Sequence, residues 1–219
     1  MVAAGLGSGP AGAAAMSAPD QVALFGTSAD PPTLGHRALL QALGERYPLV
    51  RTWASDNPFK QHGAPIEVRA VLLRALVEGI GNPRIQVDQS LSHSRALHTL
   101  EQARLLWPEA DLIFVVGSDL LPQIPRWYAA DALLAACRLA VVPRLGWPLD
   151  ALHIDGLVQR GGRVEVLPLQ IPATASSQVR LHPDPQLIPA ELWPELRKRN
   201  LYGLGDVAAS RRPATPPLR

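Results

Sequence analysis

Short, continuous apolar runs that recur between longer amphipathic stretches constrain this chain more than any other feature of its sequence. The runs fall at residues 22–25, 50–54, 85–87, 112–116, 139–142 and 164–167. Unbroken apolar character over so few residues is the pattern of parallel strands covered on both faces. Helices are expected between them. The clearest spans 66–80, where Leu72, Leu76 and Ile80 share a face with Leu73 and Val77 beside them, while Glu67, Arg69, Arg74 and Glu78 point elsewhere. A second spans about 95–106, and Gly81-Asn82-Pro83 and Trp107-Pro108 supply the stop signals. Strand and helix alternating over most of the chain predict an α/β fold on an open, doubly wound parallel sheet with right-handed crossovers.

A sheet of this kind binds ligands beyond the carboxyl ends of its strands, near the point where strand order reverses. The polar residues directly after each run are therefore the ones to read. With 219 residues, 47% hydrophobic and 18% charged, the chain has enough material for one core and little for a second, so one domain is expected over 20–205. The Ala- and Gly-rich segment 1–19 and the Arg-, Pro- and Ala-rich segment 206–219 lack periodic apolar pattern and are expected to be disordered. Met16 is a candidate alternative start. Residues 7–12 match GxGxxG formally, but no strand precedes them and Pro10 interrupts them, so the match carries no dinucleotide site.

Composition excludes several classes. A net charge of +2 with scattered arginines argues against a nucleic-acid surface and leaves room for a local anion site. No stretch reaches the roughly 18 apolar residues of a membrane span, and the start lacks the basic and apolar regions of a secretory signal. Cys137 is the single cysteine; it excludes an intrachain disulfide, is expected to be buried beside Leu134 and Leu139, and fits a reducing, cytoplasmic setting. GxxxxGK[ST], GxSxG and HExxH do not occur, and His62, His93 and His98 lack the company of a zinc site.

After the first run comes Gly26-Thr27-Ser28-Ala29-Asp30-Pro31-Pro32-Thr33-Leu34-Gly35-His36, leading into Leu39, Leu40 and Leu43. Small residues let backbone approach a ligand, and a helix start offers unpaired N–H groups with partial positive charge, which suits phosphate. His36 at that start could donate to a phosphoryl oxygen, with Gly35 leaving the way open. Equally, Thr33 could simply cap the helix and His36 be a turn residue; this segment alone leaves both readings open.

Thr33-Leu34-Gly35-His36 resembles the (His/Thr)-x-Gly-His signature of the nucleotidyltransferase superfamily. Further segments agree in order: Asn57-Pro58-Phe59-Lys60, residues 94–100, Phe114-Val115-Val116-Gly117-Ser118-Asp119, Pro125-Arg126-Trp127-Tyr128 and Ala175-Ser176-Ser177-Gln178-Val179-Arg180. Together they resemble the bacterial nicotinate-mononucleotide adenylyltransferases from about residue 22 to residue 203. The resemblance implies a Rossmann-like fold and transfer of AMP from ATP to nicotinate mononucleotide, giving nicotinate adenine dinucleotide and pyrophosphate in NAD biosynthesis. It implies an ATP site of Gly26, Thr27, Ser28, Thr33, His36, Gly117, Asp119, Ser176, Ser177 and Arg180. In that site His36 meets the α-phosphate, Ser176, Ser177 and Arg180 grip the β- and γ-phosphates, and Asp119 accepts from ribose hydroxyls. His36 and Arg180 are the catalytic candidates. Lys60, Trp127 and Tyr128 are the acceptor candidates, with Trp127 stacked on the nicotinate ring and the Tyr128 N–H aimed at its carboxylate. Mg²⁺ is expected to arrive with ATP, bridging its phosphates with few protein ligands. The chemistry needs no general base, because the acceptor phosphate is already an anionic nucleophile; catalysis reduces to alignment and charge stabilisation.

Each assignment has a plainer alternative: Ser176 or Ser177 as an N-cap, Arg180 on a solvated surface, Asp119 in a strand-end turn, Trp127 in the core, Lys60 in an exposed loop. The chain also departs from the family. Gly26-Thr27-Ser28-Ala29-Asp30-Pro31 stands for Gly-Gly-Thr-Phe-Asp-Pro, Thr33 stands for the first motif His and keeps only a hydroxyl for phosphate, and Arg95 and His98 replace a Tyr and an Asp. Competing functions are nicotinamide mononucleotide as acceptor, phosphopantetheine adenylyltransferase, a non-catalytic nucleotide-binding regulator, and a Rossmann oxidoreductase. The phosphopantetheine enzymes are shorter, end their Ser-Ser element with Lys and lack the Trp127-Tyr128 match. Homo-oligomerisation is left open.

Overall fold

The computed structural model describes residues 18–56 and 61–204. The strands are β1 (Gln21–Thr27), β2 (Leu49–Ala54), β3 (Ile85–Val87), β4 (Asp111–Gly117), β5 (Arg138–Val142) and β6 (Arg163–Val166). They form one sheet in the order β3-β2-β1-β4-β5-β6, with every neighbouring pair parallel. Each apolar run became the expected strand, its ends displaced by a couple of residues at most. The helices are α1 (Leu34–Arg46), α2 (Ile66–Ile80), α3 (Ala96–Leu106), α4 (Ala130–Ala136), α5 (Ala151–Gln159), α6 (Ser176–Leu181) and α7 (Trp193–Lys198). The flanking segments expected to be disordered fall almost wholly outside the described residues, as does the segment 57–60 that contains Lys60.

Both faces of the sheet are covered, which is why its strands are apolar without alternation. Ala23, Val50, Ile113 and Val115 meet Leu39, Leu40 and Leu43 of α1, Leu72 and Leu76 of α2, and Leu196 of α7. From the same strands, Val22, Leu24, Leu112, Phe114 and Val116 turn the other way, against Leu100 of α3, Leu133 and Leu134 of α4, and Leu157 of α5. The punctuation works as its chemistry requires. Gly81 adopts a left-handed φ of 69° and its N–H closes α2 on the Val77 carbonyl at 3.2 Å. Cys137 is 1% exposed, and burial pushes its thiol up to about 12, far from a reactive thiolate. Among the described residues no helix is long and apolar enough to cross a membrane.

Arg69 departs from its sequence reading. The helical pattern put it on the outward side of α2, yet it is 1% exposed. Its guanidinium donates to the carbonyls of Ala64 at 2.9 Å and of Ser28 and Ser55, each at 2.8 Å, and pairs with Asp56. Periodicity treats Arg as a polar residue, whereas its stem packs like an apolar one and its planar fork satisfies several acceptors at once. Arg69 thus ties the loop after β1 to the loop after β2. Arg69→Leu is expected to reduce the unfolding free energy by about 2–4 kcal/mol, since buried carbonyls lose their donor. A urea titration reads the loss, and Arg69→Lys should recover only part of it.

Candidate active site

The strand order reverses between β1 and β4, and the chain opens there into a cleft of about 1600 Å³. Gly26 closes β1 on the cleft floor. A Cβ at this position would lie 2.7 Å from the Trp53 ring, so glycine is what lets Trp53 of β2 tuck against the strand end. The chain then turns at Ala29, whose φ is 48°, and enters α1 through Thr33.

Thr33 and His36 close the helix start on each other. The Thr33 N–H donates to His36 Nδ1 at 3.1 Å, the return half of a capping box with His in place of the usual Glu. An Nδ1 that accepts from a backbone N–H carries no proton in the neutral ring, so the proton resides on Nε2. Nε2 lies 3.0 Å from Thr27 Oγ1, on the cleft side. Burial of the ring, with Arg144 nearby as the lesser cause, lowers its pKa to about 4. His36 is therefore a neutral donor in a fixed orientation. The two readings that the sequence left open are both present: Thr33 caps the helix, and His36 faces the cleft.

Thr33 itself needs correcting as a phosphate contact. It is completely buried, and its hydroxyl lies 2.7 Å from the Thr174 carbonyl, to which it donates, and 2.9 Å from His36 Nδ1. The hydroxyl proton is spent on the strap 172–174, while the Thr33 N–H holds His36. Gly35 serves the same strap. Its N–H donates to Thr174 Oγ1 at 2.7 Å, and a Cβ there would meet the Pro172 carbonyl at 2.8 Å. The missing side chain makes room for protein here.

Ser176 and Arg180 anchor α6 beside this turn. Ser176 Oγ donates to the Pro31 carbonyl at 2.8 Å, and Arg180 Nη1 donates to the Asp30 carbonyl at 2.6 Å. The Asp30 carboxylate beneath is fully buried; it accepts from Gly63 N–H at 2.7 Å and from Tyr202 Oη at 2.8 Å, and Arg180 Nη1 stands 3.4 Å away. Ser28, Ser177 and the rest of Arg180 line the cleft. The sequence singled out Arg180 but not the Asp30–Tyr202 support under it, which joins residues 172 positions apart.

On the far side of the switch, β4 ends in Gly117, Ser118 and Asp119. Ser118 Oγ accepts from the Arg144 N–H at 3.0 Å and donates to the Trp147 carbonyl at 2.8 Å. Asp119 Oδ2 accepts from Arg144 Nη1 at 3.0 Å, while its Oδ1 is buried with no donor among the described residues. A buried carboxylate oxygen without a donor is costly and marks where a ligand hydroxyl would be welcome. Arg144 was missed in the sequence. It stands two residues after the end of β5, within reach of the rule of reading polar residues after each strand.

The third wall is aromatic. Trp127 is half-buried against the second core and lines the cleft beside Tyr128, which is 51% exposed. The Arg95 guanidinium lies over the Tyr128 ring at 4.2 Å from its centroid, with the His98 ring 5.7 Å away. Gly26, Thr27, Ser28, His36, Gly117, Asp119, Trp127, Tyr128, Ser176, Ser177 and Arg180 thus all border one cleft. Thr33 lies behind its wall, and Lys60 is outside the described residues.

The cytidylyltransferase-like family pattern matches residues 24–185, which takes in every strand but the first residues of β1. This chain belongs to that family. A relative from Synechocystis sp., named as a probable nicotinate-nucleotide adenylyltransferase, is 39% identical over 197 residues, covering 83% of this chain and 98% of its own. One of the same name from Gemmatimonas aurantiaca is 34% identical, covering 73% of this chain and 79% of its own. A Plasmodium falciparum nicotinic acid mononucleotide adenylyltransferase solved with NaAD is 16% identical and superposes with a TM-score of 0.70 over 84% of this chain and 98% of its own. At that identity the likeness speaks for the cytidylyltransferase-like fold.

The state of His36 makes a pH prediction. Its folded pKa, about 4, lies below the ordinary value of 6.5, so the unfolded chain binds the extra proton first. Stability associated with the neutral ring is complete above about pH 6.5 and is lost as pH falls through about 4. Denaturant titrations across this window should show a shallower pH slope for His36→Gln than for the wild type. Equal slopes would mean that the ring is not held neutral.

Proposed function

We propose that this chain transfers AMP from ATP to nicotinate mononucleotide, releasing pyrophosphate and nicotinate adenine dinucleotide, as a nicotinate-nucleotide adenylyltransferase of NAD biosynthesis. The observation that carries this reading is the fixed, neutral Nε2–H of His36 at the end of β1, with an Arg180 fork on one side of it and the Trp127–Tyr128 wall on another. A cleft near 1600 Å³ is larger than the roughly 300–1,000 Å³ of an ordinary ligand pocket and has room for two nucleotides. The names of the Synechocystis and Gemmatimonas relatives supply the acceptor.

An acceptor phosphate oxygen attacks the α-phosphorus of ATP; the new P–O bond forms as the bond to the bridging oxygen breaks and pyrophosphate leaves with the electron pair. No proton has to be removed, so no residue acts as base. His36 donates from Nε2 to an α-phosphate oxygen, exchanging Thr27 Oγ1 for the ligand. As a neutral donor aimed before the reaction begins, it stabilises charge that grows in the transition state without reorganising. Arg180, Ser177 and the Ser28 turn receive the β- and γ-phosphates that depart. Asp119 accepts from a ribose hydroxyl at its donor-less Oδ1. Trp127 stacks on the pyridine ring, and the Tyr128 N–H faces its carboxylate.

Mg²⁺ would enter as part of the ATP substrate and offset the charge of its phosphates. We place the reaction in the cytoplasm. The test is incubation of the purified chain with Mg-ATP and each mononucleotide separately, followed by identification of the dinucleotide. Nicotinate adenine dinucleotide is expected. His36→Ala should lower the chemical rate by roughly 10²- to 10³-fold without unfolding the chain, and Arg180→Lys should also slow turnover because a two-pronged contact becomes a single charge. Absence of any dinucleotide, or full activity in both variants, would refute the reading.

A further inference from the structure

The acceptor end of the cleft carries a cation, Arg95. Arg95 precedes α3, its carbonyl accepting from the His98 N–H at 3.1 Å, and its side chain is exposed. Its Cζ stands 4.2 Å from the Tyr128 ring centroid, closer than the other Arg–aromatic contacts of the described residues, at 5.4 to 5.7 Å. A cation–π contact of this kind leaves a guanidinium with N–H donors to offer a planar anion. No carboxylate of the described residues pairs with it: nearby Glu101 is 2.7 Å from His98 Nδ1 instead. Tyr128 follows Trp127 in the chain, and both line the cleft with Arg95.

We propose that Arg95 reads the carboxylate of the acceptor ring and so sets the preference for nicotinate over nicotinamide mononucleotide. This rests on the acceptor assignment made above. The acceptor's phosphate has to reach His36, at the end of β1, and its ring lies at the opposite end of the molecule, on Trp127. The ring substituent then falls beside Tyr128, near the N–H donors of the guanidinium over its ring. A carboxylate accepts two of those N–H groups. An amide offers one oxygen and turns its own NH₂ donors toward the other, leaving donors opposed. Stacking on Trp127 is blind to this difference, so the discrimination falls to Arg95 and the backbone N–H groups.

The experiment is a set of steady-state specificity constants, kcat/KM, for both mononucleotides with the wild type, Arg95→Gln and Arg95→Lys at saturating Mg-ATP. Arg95→Gln should lose about 10- to 100-fold with the acid and stay within about threefold with the amide, as expected for a charge-assisted pair. Arg95→Lys should fall between, keeping charge without the fork, and the KM for ATP should not move. An equal loss with both acceptors would overturn the proposal, assigning Arg95 to the phosphate or to support of Tyr128; unchanged constants would overturn it by leaving Arg95 in solvent. A wild type that makes no dinucleotide from either acceptor refutes the adenylyltransferase reading itself, and this inference with it.

Discussion

Parallel pairing of β1 between β2 and β4 is the constraint from which the rest of this molecule follows. The chain leaves β1 to build β2 and β3 on one side, then returns to lay β4 against the other edge of β1 and continue outward to β5 and β6. Loops after β1 and β4 therefore depart in opposite directions and cannot close the gap between them. Two separate apolar cores, one on each face, hold the strands so that this gap stays open. Each wall of the cleft is the end of a different strand or the start of the helix after it, and the side chains there are positioned by the sheet.

Local order at the gap comes from backbone groups claimed by side chains. His36 is oriented by the Thr33 N–H, Thr33 by Thr174, Ser176 by Pro31 and Arg69 by the carbonyls of both neighbouring loops. Charge is divided just as clearly. His36 is kept neutral by burial beside Arg144, so among the described residues the arginine charge of the cleft resides on Arg180, Arg144, Arg126 and Arg95. A neutral imidazole can donate to an oxygen that gains charge during the reaction without binding ground-state anions more tightly, which is what differential stabilisation requires. In the proposed reaction the arginines would do the holding and His36 the selective donation.

The sheet, its six strands and the long helices α2 and α3 were legible because continuous apolar runs and a clear helical period depend only on near neighbours in sequence. Family motifs then gave most of the cleft: His36 lies in the first turn of α1 and Asp119 two residues after β4, while Trp127 and Arg180 were found by their motifs alone. What the sequence hid depends on distant partners. Thr33 reads as a free hydroxyl until Thr174, 141 residues later, takes it. Arg69 reads as a surface residue until the loops after β1 and β2 fold over it. Asp30 gives no sign in its own segment of the Tyr202 that supports it. Arg144 is different: its place after β5 was readable, and only its lack of a family motif hid it.

The account turns on His36 being a neutral ring protonated at Nε2 and aimed into the cleft. The direct measurement is ¹⁵N NMR of the ring nitrogens of ¹⁵N-histidine-labelled protein between pH 7.5 and pH 5, with His36 assigned by comparison with His36→Gln. A proton on Nε2, an unprotonated Nδ1 and no titration across that range are predicted, with the Nε2 resonance shifting when a non-hydrolysable ATP analogue is added. A proton on Nδ1, or an imidazolium forming near pH 6.5 as in an ordinary exposed histidine, would contradict it.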